Sequence, residues 1–275
     1  MRDKNAGVLE RRTNRAMQRR VIAIANQKGG VGKTTTAVNL SASLAAAEKN
    51  TLLIDMDPQA NASSGCGLRP KDIDQSIYDV LIARAVIQNV IKSTEIPCLH
   101  IIPSKMVLVG AELEFVNQPS REFFLRRVLE PIRENYHYII IDCPPSLGLL
   151  TINALTAADC VIIPLQAEFY AMEGINQLLN TIRLVKQKLN PQLVISGILI
   201  TMFDGRLNLA KQIVADVRDF FTDLVFQTII CRNVKLSEAP SHGKPAILYD
   251  AVSIGAQNYM RLAQEILSDE TQSVR

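Results

Sequence analysis

The segment Asn26-Gln27-Lys28-Gly29-Gly30-Val31-Gly32-Lys33-Thr34-Thr35 constrains this chain more than any other. It lies between a short apolar run, Val21 to Ala25, and a stretch with helical periodicity. A strand, a glycine-rich turn and a helix in that order build a phosphate-binding loop. Glycines let the backbone N–H groups converge, and the helix N-terminus adds partial positive charge for an anion. Lys33 can reach the β- and γ-phosphates of a nucleotide, and the Thr34 hydroxyl can serve Mg²⁺. The loop departs from the common pattern in one respect. The spacing G-x-x-x-x-G-K-[ST] asks for a glycine where this chain has Gln27, and a second lysine, Lys28, follows it.

Beyond the loop, short apolar β-branched runs alternate with helical patterns almost to the end of the 275 residues. The runs predict strands over 21–26, 51–56, 99–103, 138–142, 160–165, 194–202 and 225–230. The helical patterns cover 34–48, 76–84, 120–135, 147–157, 172–189, 207–221 and 255–268. Continuous apolar strands such as Tyr138-Ile139-Ile140-Ile141 suit a sheet covered on both faces. The fold class is therefore α/β: a single domain with a mostly parallel twisted sheet flanked by helices, of the P-loop NTPase type. In such folds ligands bind beyond the carboxyl ends of the strands, and the candidate residues below fall just after strands.

Two further strand ends carry acids. Leu53-Ile54-Asp55-Met56-Asp57-Pro58-Gln59 releases two carboxylates beside the phosphate loop, a repulsive arrangement unless a cation or water balances it. One of the pair would orient an attacking water and the other support the Mg²⁺ shell. Tyr138-Ile139-Ile140-Ile141-Asp142 has the form of a Walker B strand, whose acid holds Mg²⁺ through water. The stiff turn after it, Cys143-Pro144-Pro145-Ser146-Leu147-Gly148, suits a segment that senses the γ-phosphate. Phosphoryl transfer at such a site depends on positioning and charge stabilisation, and a cation lent across a subunit boundary adds to both. Lys28 is the candidate, since Lys33 already serves the loop.

Charge is distributed unevenly. Residues 1–20 carry seven Lys/Arg against Asp3 and Glu10, while 21–275 hold 23 basic and 25 acidic residues. The organisation expected is a basic, flexible arm over 1–20, the ATPase domain over 21–268 and a polar tail over 269–275. The arm fits either a solvated tail or a contact with nucleic acid or an anionic surface. No apolar run approaches the roughly 18 to 20 residues that span a bilayer, and the polar N-terminus lacks the apolar core of a secretory signal. The five cysteines, at 66, 98, 143, 160 and 231, form no C-x-x-C pair. Buried free thiols in a reducing cytoplasm are the expectation.

The chain resembles the ParA/Soj partition ATPases of the deviant-Walker-A class. The likeness runs collinearly from Val21 to Ser268. It is carried by Lys28 to Thr35, by Asp55-Met56-Asp57-Pro58-Gln59 and by Ile141-Asp142-Cys143-Pro144-Pro145-Ser146. Thr201-Met202-Phe203-Asp204-Gly205-Arg206 and the run from Arg232 to Pro245 add blocks particular to the partition branch. The resemblance implies ATP and Mg²⁺ as cofactors and an ATP-sandwich homodimer in which Lys28 reaches the partner's nucleotide. ATP would be held by residues 28–35: Lys28, Gly29, Gly30, Val31, Gly32, Lys33, Thr34 and Thr35. Asp57 would position the hydrolytic water, and Thr34 and Asp142 would serve Mg²⁺; of the two strand-end acids read above, that leaves Asp55 to support the Mg²⁺ shell. Asn233 would lie against adenine. The family usually has proline two residues earlier, where this chain has Cys231.

The resemblance also implies that the ATP-bound dimer binds double-stranded DNA without sequence preference, through Arg206 and through Lys235 in place of an arginine. Backbone binding needs positive charge rather than a base-reading fork, so that exchange is mild. A ParB/Spo0J-type centromere-binding partner would stimulate hydrolysis, and the protein would be cytoplasmic and nucleoid-associated. Twenty residues before the first strand are too few for the helix-turn-helix domain of longer relatives. A MinD-like membrane-recruited ATPase is the alternative, but the polar C-terminus lacks a basic amphipathic helix. No stable membrane association is expected. An iron–sulfur carrier would need paired cysteines, and a purely nucleotide-binding module would lack Asp57 or Asp142.

Overall fold

The computed structural model describes residues 20–168 and 171–272. The basic arm expected at the N-terminus, Arg20 excepted, lies outside the described residues. Seven strands form one sheet: β1 (Arg20–Ile24), β2 (Thr51–Asp55), β3 (Lys92–Ser93), β4 (Leu99–Ile102), β5 (Tyr138–Asp142), β6 (Cys160–Gln166) and β7 (Val194–Thr201). Their order is β3-β4-β2-β5-β1-β6-β7. All neighbours are parallel except β3 and β4. From β1 the chain crosses over β5 to reach β2, and from β5 it crosses over β1 to reach β6. The loops leaving β1 and β5 therefore part in opposite directions, which opens a crevice at their carboxyl ends.

Alternate residues of each strand feed two separate cores. Ile22, Ile24, Leu53, Tyr138, Ile140 and Ile162 face helix α1 (Lys33–Ala46) and the C-terminal helix Ile254–Gln272. Val21, Ala23, Leu52, Ile54, Ile139 and Ile141 face the helices Leu149–Ala157, Ala171–Lys188 and Asn208–Phe221. Both faces are dry, which explains why the strands read as unbroken apolar runs. The C-terminal helix continues to Gln272, four residues past its expected end.

Two sequence expectations are corrected, and one helix was not anticipated. No strand forms over 225–230. Phe226 and Ile230 donate to Ile198 and Ile200 on β7, but the amides of Gln227 and Thr228 turn to the Glu265 carboxylate. The Phe226 ring occupies the space a Cβ on Gly197 would need, at 2.5 Å, so this segment packs onto β7 without a ladder. The helix expected over 120–135 breaks into Arg121–Phe123, Phe124–Leu129 and Glu130–Asn135, of which only the middle piece is α-helical. Pro131 cannot donate and its ring collides with the preceding turn. Finally, Leu108–Phe115 is helical although no period marked it. Its inner face, Leu108, Ala111 and Phe115, is buried, yet Val109 and Leu113 on the outer face are also apolar.

Candidate nucleotide site

The phosphate loop follows β1 and ends at Gly32, which caps α1 with φ 86° and ψ 26°. Gly30 is also left-handed, at φ 75°. Both conformations cost an L-residue roughly 1–2 kcal/mol, so glycine at these two positions is a backbone requirement. Above Gly29 and Gly30 nothing lies within 4 Å of where a Cβ would stand. The cradle is open.

Three braces hold the loop from distant segments. Asn26 donates to the Pro164 carbonyl at the end of β6 and accepts from the Lys28 amide. Thr201, the last residue of β7, donates its hydroxyl to the Val31 carbonyl at 2.8 Å. Within α1, Thr36 and Tyr259 share a buried hydrogen bond that ties the helix to the C-terminal one. Sequence reasoning placed Thr201 in a family block but gave it no task; its partner is 170 residues away.

Lys33 is 6% exposed and its Nζ donates to the Lys28 carbonyl at 2.9 Å. Burial lowers its pKa, with the charges of Asp142, Cys143 and Asp57 pulling the other way. The ammonium thus sits among the acids expected beside it. Lys28 behaves differently. It is exposed and pairs with Glu168 at 2.7 Å. A pair so accessible to water contributes about 0.2–1 kcal/mol, so the ammonium can change partners at little cost.

The acids divide by environment. Asp55 and Asp142 end adjacent strands in register, and both are fully buried. Asp55 has its oxygens filled: Oδ1 accepts from the Asp57 amide at 3.1 Å, and Oδ2 accepts from the Ser63 amide and hydroxyl at 2.8 and 2.7 Å. Burial still raises its pKa to about 6, against those hydrogen bonds. Asp142 has no hydrogen-bond partner of good geometry on either oxygen. Its carboxyl is pushed well above the ordinary range by burial and then by Asp55, with only the nearby Thr34 hydroxyl and the Lys33 charge easing the cost. A buried acid without partners is an expensive feature to keep. Of the two acids expected to serve a cation, Asp142 is the one left open, whereas Asp55 is engaged by its own chain.

Asp57 lies past the end of β2, 7% exposed, and its Oδ1 accepts from the Gln59 amide at 2.9 Å. Among the described residues no cluster of His, Cys, Asp and Glu is assembled to hold a metal alone. Mg²⁺ ordinarily takes one or two carboxylates and completes its shell with phosphates and water.

The residues expected at the base and at DNA lie on the flank of this crevice. Cys231 is partly buried, and its amide donates to Asn258. Asn233 caps the short helix Val234–Glu238, accepting from the Lys235 amide with its side-chain oxygen. A bridge between Phe203 and Cys231 brings the Asp204–Arg206 turn beside Arg232. Arg206 is bound in a fork by Asp204, whose pKa falls to about 2 chiefly through that contact. Lys235 pairs with Glu238 at 3.0 Å. Arg232, exposed next to them, was not singled out from sequence. No described helix is long and apolar enough to cross a membrane.

Comparison with known proteins agrees with this geometry. The sequence profile of a family described as an AAA domain matches residues 19–195. Sporulation initiation inhibitor protein Soj of Bacillus subtilis is 56% identical over 250 residues, spanning 91% of this chain and 99% of that protein. Chromosome partitioning protein ParA of Myxococcus xanthus is 57% identical over 252 residues, spanning 92% and 89%. Among solved structures, a cobyrinic acid a,c-diamide synthase from Mycobacterium smegmatis with bound ADP and magnesium is similar, with a TM-score of 0.81 at 35% identity over 94% of this chain and 97% of that one.

Proposed function

The chain belongs to the ParA/Soj family of partition ATPases, and from that membership we propose that it hydrolyses ATP to time its association with DNA. The observation that carries the proposal is the pairing of an open glycine cradle with a buried, unpartnered Asp142. An acid kept at that cost beside Lys33 fits a hydrated cation bridging to phosphate. Thr34 and Asp142 would hold Mg²⁺, which supplies neutralising charge at the β- and γ-phosphate oxygens. Residues 28–35 would hold the phosphates, with Lys33 leaving the Lys28 carbonyl for them. Asn233 and Cys231 would border the base.

In this reading water attacks the γ-phosphorus, the bond to the β–γ bridging oxygen breaks, and ADP and phosphate leave. Asp57 orients that water. Its Oδ1 is fixed by the Gln59 amide, which leaves Oδ2 to accept from the nucleophile. Lys28 exchanges Glu168 for the nucleotide of a second subunit, and the paired subunits are competent to bind duplex DNA through Arg206 and Lys235. A ParB-type protein accelerates hydrolysis and so ends the DNA-bound state. Support comes from the exposure of Arg206 and the half-exposure of Lys28 and Lys235, and from the names of the relatives. The same reading keeps residues 21–268 as the ATPase domain and 1–20 as a basic arm.

An Asp57→Ala variant tests the scheme. It should lose steady-state phosphate release by about 100-fold or more while still binding nonspecific duplex in the presence of ATP. Full turnover in that variant, or equal DNA binding by wild type with ADP and with ATP, would contradict the reading.

A further inference from the structure

Asp57 lies past β2, beyond the bond from the Met56 amide to the Asp142 carbonyl. The Gln59 amide turns its side chain, and its own amide is tied into a relay of hydrogen bonds across three segments. The Ser104 amide, just beyond β4, donates to the Ser63 hydroxyl oxygen at 3.0 Å. That hydroxyl donates to Asp55 Oδ2 at 2.7 Å, joined by the Ser63 amide at 2.8 Å. Asp55 Oδ1 then accepts from the Asp57 amide at 3.1 Å. Ser63, Ser104, Asp55 and Asp57 are all buried, the first three completely. Ser63 stands on the one-turn helix α2 (Asn61–Gly65), whose entry residue Ala60 is left-handed at φ 53°. Ala62 and Cys66 seat this short helix in the core beside α1, and the relay ties its Ser63 to the ends of β2 and β4.

We propose that Ser63 is a positioning residue for hydrolysis: its hydroxyl orients the Asp55 carboxylate, and Asp55 in turn anchors the backbone of Asp57 so that the Asp57 side chain faces the attacking water. The assignment builds on Asp57 being the water-orienting acid. It gives Asp55 a task distinct from metal binding and explains why its oxygens are filled while those of Asp142 are open. Ser63 touches neither phosphate nor water in this scheme. The hydroxyl is needed for two bonds at once, donating to Asp55 and accepting from Ser104, so alanine breaks the relay at its middle while threonine keeps it.

The test compares Ser63→Ala and Ser63→Thr with wild type in two measurements. In the nucleotide-free protein, amide exchange should quicken up to about tenfold in Ser63→Ala, at Ser104 because it loses its hydroxyl acceptor and at Asp57 because its Asp55 acceptor loses an orienting donor, and return toward wild type in Ser63→Thr. In ATPase assays Ser63→Ala should lower kcat about tenfold with KM for ATP within twofold of wild type, and Ser63→Thr should restore kcat. Unchanged exchange at Asp57 in Ser63→Ala overturns the relay whatever the activity. A loss of kcat that threonine fails to rescue, a rise in KM matching the loss, or failure of Ser63→Ala to bind nucleotide at all would each assign Ser63 to folding or binding instead. Turnover surviving in Asp57→Ala would defeat the hydrolytic reading while leaving the exchange result to judge the relay.

Discussion

Asp55 and Asp142 occupy matching positions at the carboxyl ends of β2 and β5, side by side and fully buried, yet only Asp55 has donors in good hydrogen-bonding geometry. Burial raises both acids, so each binds protons more readily when folded than when unfolded. An acid raised in this way supports the fold at low pH. Its contribution is lost as pH climbs from the usual carboxylate range through the raised value, about 6 for Asp55 and beyond the ordinary range for Asp142. Replacing Asp142 with Asn removes the costlier charge. The Asp142→Asn protein without nucleotide should therefore melt at least about 2 °C above wild type at pH 8, since ~1 kcal/mol moves a domain this large by that much. The gap should narrow toward pH 5, and Mg²⁺-dependent turnover should be lost. Differential scanning calorimetry across pH reads this directly; a lower melting temperature for the variant at pH 8 would contradict it.

The brace from β7 to the phosphate loop makes a second expectation. Thr201→Val keeps the side-chain shape but leaves the buried Val31 carbonyl without its donor. The cost should be about 1–3 kcal/mol in urea unfolding. Nucleotide affinity should weaken as well, because Val31 lies within the cradle. Isothermal titration with ADP would show it, and unaltered affinity together with unaltered stability would remove Thr201 from the site.

Arg206 is the most exposed of the proposed DNA contacts, its side chain 88% accessible, and its own chain holds it through Asp204. A phosphate at Arg206 would share the guanidinium with that carboxylate, whose negative charge opposes the contact. Asp204→Asn should thus tighten ATP-dependent binding to nonspecific duplex by up to about fivefold at moderate salt, the worth of an exposed ion pair. Arg206→Ala should weaken binding and reduce the salt slope by roughly one phosphate's share per Arg206. Fluorescence anisotropy over a salt series distinguishes the two, and identical slopes for wild type and Arg206→Ala would exclude the residue from the interface.

Much of this was legible in the sequence because it is local. β1, the phosphate loop and α1 follow one another, and a run such as Tyr138 to Ile141 announces a strand covered on both faces. The failures have equally specific causes. Val225 to Ile230 is apolar enough for a strand, but Gly197 lets Phe226 pack where a ladder partner would stand, and Glu265 takes the amides. Leu108–Phe115 buries one face and exposes apolar residues on the other, which erases the periodic signal. In the crevice, residue types marked Lys33, Asp57 and Asp142 as candidates, and the fold brings the three charges together. Nothing local marked Ser63, Thr201 or Asn26, whose partners lie 8, 170 and 138 positions away in sequence. The loop lysines also look alike on paper. Only the fold separates Lys33, buried against its own loop, from Lys28, which faces outward to Glu168.

That outward lysine bears on the central claim, that two subunits close over their nucleotides with each Lys28 serving the other's. Sedimentation velocity of wild type and Lys28→Ala, with Mg²⁺ and either ADP or a slowly hydrolysed ATP analogue, tests it most directly. Wild type should sediment as a dimer with the analogue and as a monomer with ADP, while Lys28→Ala should bind the analogue and remain monomeric. A wild-type protein that stays monomeric with the analogue, or a Lys28→Ala variant that dimerises as readily as wild type, would contradict the account.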